Sequence, residues 1–202
     1  MAVVEAERYL FTIEEFDRLF EADIFTEDDR VEFVDGEIIA MSSIGGRHVG
    51  TIVRLTGTAY RAVGDSFAIS VQNPLRIRDR ASFLPDLAIL RTANVGNVVP
   101  TADLVLLVME VSESSRNYDR NTKLLAYASA GIPEAWICDL IDDRLERHTD
   151  PRDGAYQQVA VARRGVGDGL AQCARAAVVG VLHRDGRAAA GSEGCRCAAT
   201  LQ

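Results

Sequence analysis

The sequence predicts a mixed α/β domain, a central mixed β-sheet flanked by helices, on three observations. Short apolar runs at residues 87–90, 104–109 and 135–139 are bounded by polar or turn residues. They are too short and too β-branched for helices, so they read as buried strands. Between the second and third runs the period changes: Leu124, Tyr127, Ala128 and Gly131 fall at i, i+3, i+4 and i+7, which places a helix where a crossover connection belongs. The chain has 202 residues, of which 48% are hydrophobic and 26% charged, an ordinary globular composition long enough to bury a core.

The remaining elements follow in order. Thr12-Ile13-Glu14-Glu15 has capping-box spacing, and Ile13, Phe16, Leu19 and Phe20 share a helical face, so a helix is expected over residues 13–22. Residues 30–34 and 37–41 flank Asp35-Gly36, a strong hairpin signal. Gly45-Gly46-Arg47-His48 leads into a helix through Ile52, Leu55, Ala59 and Val63, although its internal glycine and threonine disfavour it. Residues 67–71 and 75–78 read as strands, with Asp79-Arg80 turning the chain towards Asp86. Residues 144–149 and 156–162 read as a closing hairpin around a 150–154 turn.

This gives one domain over residues 1–164. Residues 165–202 are rich in Gly, Ala, Arg and Cys without clear periodicity and are expected to form an atypical, poorly ordered tail. Cys138 reads as a small core residue, while Cys173, Cys195 and Cys197 lack a zinc spacing. No apolar run is long enough to span a bilayer, and the first residues lack the layout of a signal peptide, so the expected location is cytoplasmic. A net charge of −8 argues against a broad non-specific DNA-binding surface. Clustered arginines (Arg47, Arg54, Arg76, Arg78, Arg116 and Arg120 are candidates), a metal or the groove of a homodimer would offset it locally.

The chemistry concentrates on Asp86 and Glu110, one acid at an end of each of two apolar runs. A carboxylate against a buried strand is costly unless a cation, a donor network or a metal pairs with it. If the two strands are neighbours, both carboxylates reach a common cation, and oxygen-rich sites of this kind suit Mg²⁺. Such an ion lowers the pKa of bound water and neutralises charge on a phosphate. Lys123, on the following helix with Asp119 and Tyr127 at four-residue spacing, would orient that water or stabilise the transition state. The bland alternatives are a strand-entry cap for Asp86, a salt bridge from Glu110 to Arg116, and an exposed Lys123 paired with Asp119. Glu32 reads either as a cross-strand partner or as support for the site, and His48 as a surface histidine or a participant.

Several blocks resemble the Uma2 family, a branch of the PD-(D/E)XK restriction-endonuclease-like superfamily. They are Arg30 to Ile38, Arg47-His48, Pro85-Asp86-Leu87, Glu110 to Ser115, Tyr118-Asp119-Arg120, Lys123-Leu124, Tyr127 and Ala130 to Trp136. The resemblance implies a restriction-endonuclease-like fold and an endonuclease hydrolysing DNA with Mg²⁺, Mn²⁺ serving as a substitute. It implies Asp86 and Glu110 as metal ligands, with the Val111 carbonyl a candidate third, Lys123 as the catalytic lysine and Glu32 as a supporting acid. Ser112 stands where the superfamily usually carries lysine, and Lys123 takes that part from the next helix. The alternative is a non-cleaving DNA- or protein-binding accessory that keeps the fold.

Overall fold

In a computed structural model of the protein, the described residues are 8–163, apart from 27, 64–66 and 93, together with residue 180. The tail expected over 165–202, with Cys173, Cys195 and Cys197, lies outside them apart from Gly180. Helix α1 (Ile13–Glu21) begins at the predicted capping box. Thr12 N–H donates to Glu15 Oε2 at 2.8 Å and Glu15 N–H donates to Thr12 Oγ1 at 3.2 Å, satisfying two donors that a helix start leaves orphaned. Strands β1 (Val31–Val34) and β2 (Glu37–Ala40) pair antiparallel. Asp35 and Gly36 both have positive φ, 49° and 90°, the type I′ geometry that matches strand twist.

Helix α2 (Gly46–Val63) runs for 18 residues because its buried stripe, Ile52, Leu55, Ala59 and Ala62, outweighs the weak propensity of Gly50 and Gly57. Strands β3 (Ala68–Ser70) and β4 (Leu75–Arg76) are shorter than predicted. A 3₁₀ turn at Arg78–Arg80 then feeds β5 (Ala81–Phe83), which the sequence does not reveal. Three residues of mixed polarity show no period, and β5 is set instead by pairing with β4 and β1.

Strands β6 (Leu87–Leu90), β7 (Val105–Ser112), β8 (Glu134–Asp139), β9 (Arg144–Arg152) and β10 (Ala155–Arg163) complete the chain. They form two sheets: β2-β1-β5-β4, and a mixed sheet β10-β9-β8-β7-β6-β3 in which only β7 and β8 are parallel. Along β7 all eight residues are buried, because helices cover both faces. Leu107, Met109 and Val111 pack with Ile52 and Leu55 of α2; Val108 packs with Leu124 and Tyr127 on the opposite side.

The crossover between β7 and β8 is a composite: α3 (Arg116–Tyr118), a π turn (Asp119–Lys123) and α4 (Leu124–Ser129). In the π turn Leu124 N–H donates to Asp119 O, one residue further back than an α-helix allows. Gly131 closes the helix at φ 78°, with Gly131 N–H on Ala128 O and Ile132 N–H on Tyr127 O, a Schellman ending.

The last hairpin turns tightly at Asp153-Gly154 (φ 52° and 77°), not over 150–154. β9 continues through Pro151, which pairs only with β10 because β8 ends its pairing at Thr149, an edge position of the kind that tolerates proline. Beside this edge lies a balanced ion cluster. Asp139, wholly buried, meets Arg116 and Arg120 at 2.7 Å each; Arg116 also reaches Asp142, and Glu146 meets Arg120 at 2.7 Å and Arg144 at 2.8 Å. Arg116 is therefore spent here, and the bland alternative, a pairing with Glu110, is not made. Burial pushes the Glu146 carboxyl up, but His148, Arg120 and Arg144 outweigh it and hold its pKa at about 2.

Two stability outcomes follow. Gly36→Ala would place a Cβ 2.6 Å from Leu10 Cβ at a φ of 90°, so it should lose on the order of 1–3 kcal/mol in denaturant unfolding. Glu146→Gln should lose a similar amount near neutral pH. A depressed folded pKa confers stability above the usual 4.5 that disappears as pH falls towards about 2, so the deficit of the variant should shrink across that window. A deficit that is flat with pH would show that the carboxylate charge is not what the cluster holds.

Candidate active site

Glu110 is the exception in β7: alternation aims it away from α2 and towards the crossover helix. There Tyr127 Oη–H donates to its Oε1 at 2.5 Å, and Lys123 Nζ donates to its Oε2 at 3.2 Å. Lys123 is not the exposed partner of Asp119; it is 2% exposed and also lies 2.9 Å from Glu32 Oε1. Glu32 is fully buried and faces Ile39 across the hairpin, so it has no charged cross-strand partner. Its Oε1 accepts Leu84 N–H at 2.9 Å and its Oε2 accepts Tyr118 Oη–H at 2.9 Å. The rings of Phe83 and Tyr118 lie 5.9 and 5.7 Å from the ammonium, adding cation–π attraction.

Asp86, just before β6, is held from three sides. His48 Nε2 and Gln72 Nε2 each lie 3.0 Å from Oδ1, and Val111 N–H donates to Oδ2 at 2.8 Å. The His48 reading as a surface residue gives way to this buried contact. What the structure brings to Asp86 from Val111 is its N–H. Gln72, Tyr118 and the two serines on Asp119 (Ser112 and Ser115) are partners that sequence reasoning missed. Tyr118 carried a signal in its place beside Asp119, and Ser112 in its place on the strand two residues after Glu110; Gln72 sits in an irregular link at φ 54°, where no periodicity operates.

Asp86, Glu110, Asp119 and Lys123, with His48 and Tyr118, line one cleft of about 340 Å³ between the small sheet and the edge of β6 and β7. Its electrostatics are unbalanced. Burial raises Glu110 well above the usual carboxylate range; Lys123 pulls against this, and Asp119, Asp86 and Glu32 push further up. Burial works to lower Lys123, but Glu110, Glu32 and Asp119 prevail and keep it protonated. Burial also raises Asp86, yet its hydrogen bonds from His48, Val111 and Gln72 leave it below the ordinary value, a charged carboxylate.

Among the described residues no three His, Cys, Asp or Glu side chains converge as a ready metal cage. The donor chemistry nevertheless fits a hard divalent cation. Carboxylate oxygens dominate the cleft, they outnumber the nearby cations, and Mg²⁺ binds through one or two carboxylates while keeping several waters.

No curated protein matches the chain at a significant level. Among solved structures it is similar to the crystal structure of a "putative nuclease belonging to DUF820" from Anabaena variabilis, at 16% identity and a TM-score of 0.63, covering 76% of this chain and 85% of that one. That likeness supports the restriction-endonuclease-like fold. No helix among the described residues is long and apolar enough to cross a membrane. A family model described as "Putative restriction endonuclease" matches residues 13–172, the greater part of the sequence, and the chain belongs to that family, Uma2.

Proposed function

We propose that the protein is a divalent-metal-dependent endonuclease that hydrolyses phosphodiester bonds in DNA. The observation that carries this reading is the buried Lys123 ammonium, 3.2 Å from Glu110 Oε2, in the cleft that Asp86 also lines. Asp86 and Glu110 would hold Mg²⁺, or Mn²⁺ in its place, with the Val111 carbonyl as a third donor. The bound ion would supply an activated water and neutralise charge on the phosphate. Lys123, kept protonated by its acidic neighbours, would donate to the phosphoryl oxygens or fix the attacking water. Glu32 acts on the lysine: with Oε1 on Nζ and Oε2 held by Tyr118, it fixes where the ammonium points. Tyr127 fixes Glu110 in the same way.

A DNA backbone must be received by an acidic chain. Arg76 is spent on Asp17, and Arg116 and Arg120 on Asp139 and Glu146. Arg30 lines the cleft and Arg47 is exposed at the start of α2 beside His48, so these two are the phosphate contacts favoured for mutation.

The second reading is a non-cleaving accessory that binds DNA or protein. It is favoured by the three protein donors on Asp86 and the two on Glu110, a pattern that structural pairs also adopt.

Calorimetric titration with Mg²⁺ and Mn²⁺ separates the two. Binding should be present in the wild type and lost in Asp86→Ala and Glu110→Ala, and plasmid nicking on the same samples should vanish with it. A wild type that binds neither ion gives the site to the accessory reading. Lys123→Gln should retain metal binding and lower the nicking rate by about 10²–10³-fold. Equal losses of binding and nicking in that variant, with circular dichroism unchanged, would instead make Lys123 a part of metal retention.

A further inference from the structure

Asp119 has a chemistry that packing does not account for. It is 2% exposed, and both its side-chain hydrogen bonds reach one oxygen: Ser112 Oγ donates to Oδ2 at 2.5 Å and Ser115 Oγ at 2.6 Å. Oδ1 carries no hydrogen bond among the described residues, yet it is not among the fully enclosed polar atoms left without one. It therefore keeps some open surface, on a residue that lines the cleft. A purely structural aspartate at this depth would spend both oxygens on protein donors.

The backbone points the same way. Asp119 and Lys123 are the first and last residues of the π turn, and both are buried. Such turns inside α-helices are frequent at functional sites, where the extra residue re-aims side chains. Here the widened turn directs an acid and a base into one cleft. Ser112 and Ser115 hold the carboxylate plane from the Oδ2 side, so that Oδ1 keeps a fixed direction.

We infer that Asp119 is a third acid of the site, whose Oδ1 accepts a hydrogen bond from a water of the hydrated divalent cation. Contact through water follows from two facts: among the described residues no three acidic or histidine side chains converge on a common point, and Mg²⁺ releases its water reluctantly. Asp119 is thus a positioning residue that fixes the hydration shell, and Ser112 and Ser115 fix Asp119. The inference rests on the metal-dependent reading proposed above.

The test is Mn²⁺ alone, titrated calorimetrically into the wild type, Asp119→Asn, Ser115→Ala and Asp86→Asn, with each protein also melted in chelator. Asp119→Asn should weaken Mn²⁺ at least about tenfold, and Ser115→Ala by a smaller factor. In chelator Asp119→Asn should melt at or above the wild type, because one negative charge leaves a crowded acidic cleft; a structural carboxylate would lower the melting temperature. Should Asp119→Asn melt lower, Ser115→Ala decides, since it keeps the carboxylate: weaker Mn²⁺ binding supports the inference and unchanged binding overturns it. Wild-type affinity in Asp119→Asn, with loss in Asp86→Asn, removes Asp119 from the site and leaves the metal reading standing. A wild type that binds no Mn²⁺ removes both.

Discussion

The buried Lys123 ammonium is the joint on which the site depends. It links three elements at one point: β1 through Glu32, β7 through Glu110, and the crossover helix that carries it. Taking one ammonium and two carboxylates out of water is costly, and attraction in the interior repays it only with good hydrogen bonding. Leu84 N–H, Tyr118 Oη and Tyr127 Oη supply that bonding. A well-packed apolar side chain in the same volume would commonly be as stable or more so. The ion triad is therefore weak as a stabilising device and strong as a positioning one, which favours a chemical use for the charge.

Two acidic clusters in this chain show what balance means. Asp139, Asp142 and Glu146 face Arg116, Arg120 and Arg144 one for one, and the arginine forks occupy their oxygens. That cluster ties the crossover helix to β8 and β9. Around the cleft, Glu32, Asp86, Glu110, Glu113 and Asp119 outnumber Lys123, Arg30 and His48, and Glu110, raised first by burial and then by its acidic neighbours, holds its proton to higher pH. The balanced cluster closes an edge of the fold. The unbalanced one opens onto solvent, and a divalent cation is the class of ligand that would neutralise it.

What could be read from the sequence was decided by local physics. The capping box at Thr12, the Asp35-Gly36 turn and the two-faced burial of β7 depend on neighbours a few residues apart or on strand period, and each appears as predicted. Glu110 stood out because an acid in an all-apolar strand has few cheap explanations. The sequence places Lys123 at the same site, with a salt bridge to Arg116 as the bland alternative for Glu110, and the docking of the crossover helix sends Arg116 to Asp139 and Lys123 to Glu110. Strand β5 and Gln72 were hidden for a related reason, since pairing and contacts distant in sequence place them. The Asp119–Lys123 spacing read as one turn of α-helix; the π turn that re-aims both cannot be seen in a spacing of four.

That β7 carries Ser112, and the buried lysine comes from the crossover helix, has a consequence for how the cleft is held. A lysine on β7 itself would be positioned by the same ladder that positions Glu110, through pairing with β6 and β8. A lysine arriving from the crossover helix is positioned only as well as that helix is docked. Glu32 and Tyr118 then become necessary, because they anchor the ammonium and its helix to the small sheet. The hydroxyl that remains at 112 serves the same helix by holding Asp119. Moving one charge from strand to helix thus turns the small sheet from a cover over the core into part of the site, and it accounts for a fully buried glutamate in a four-residue hairpin strand that packing alone would fill with a valine.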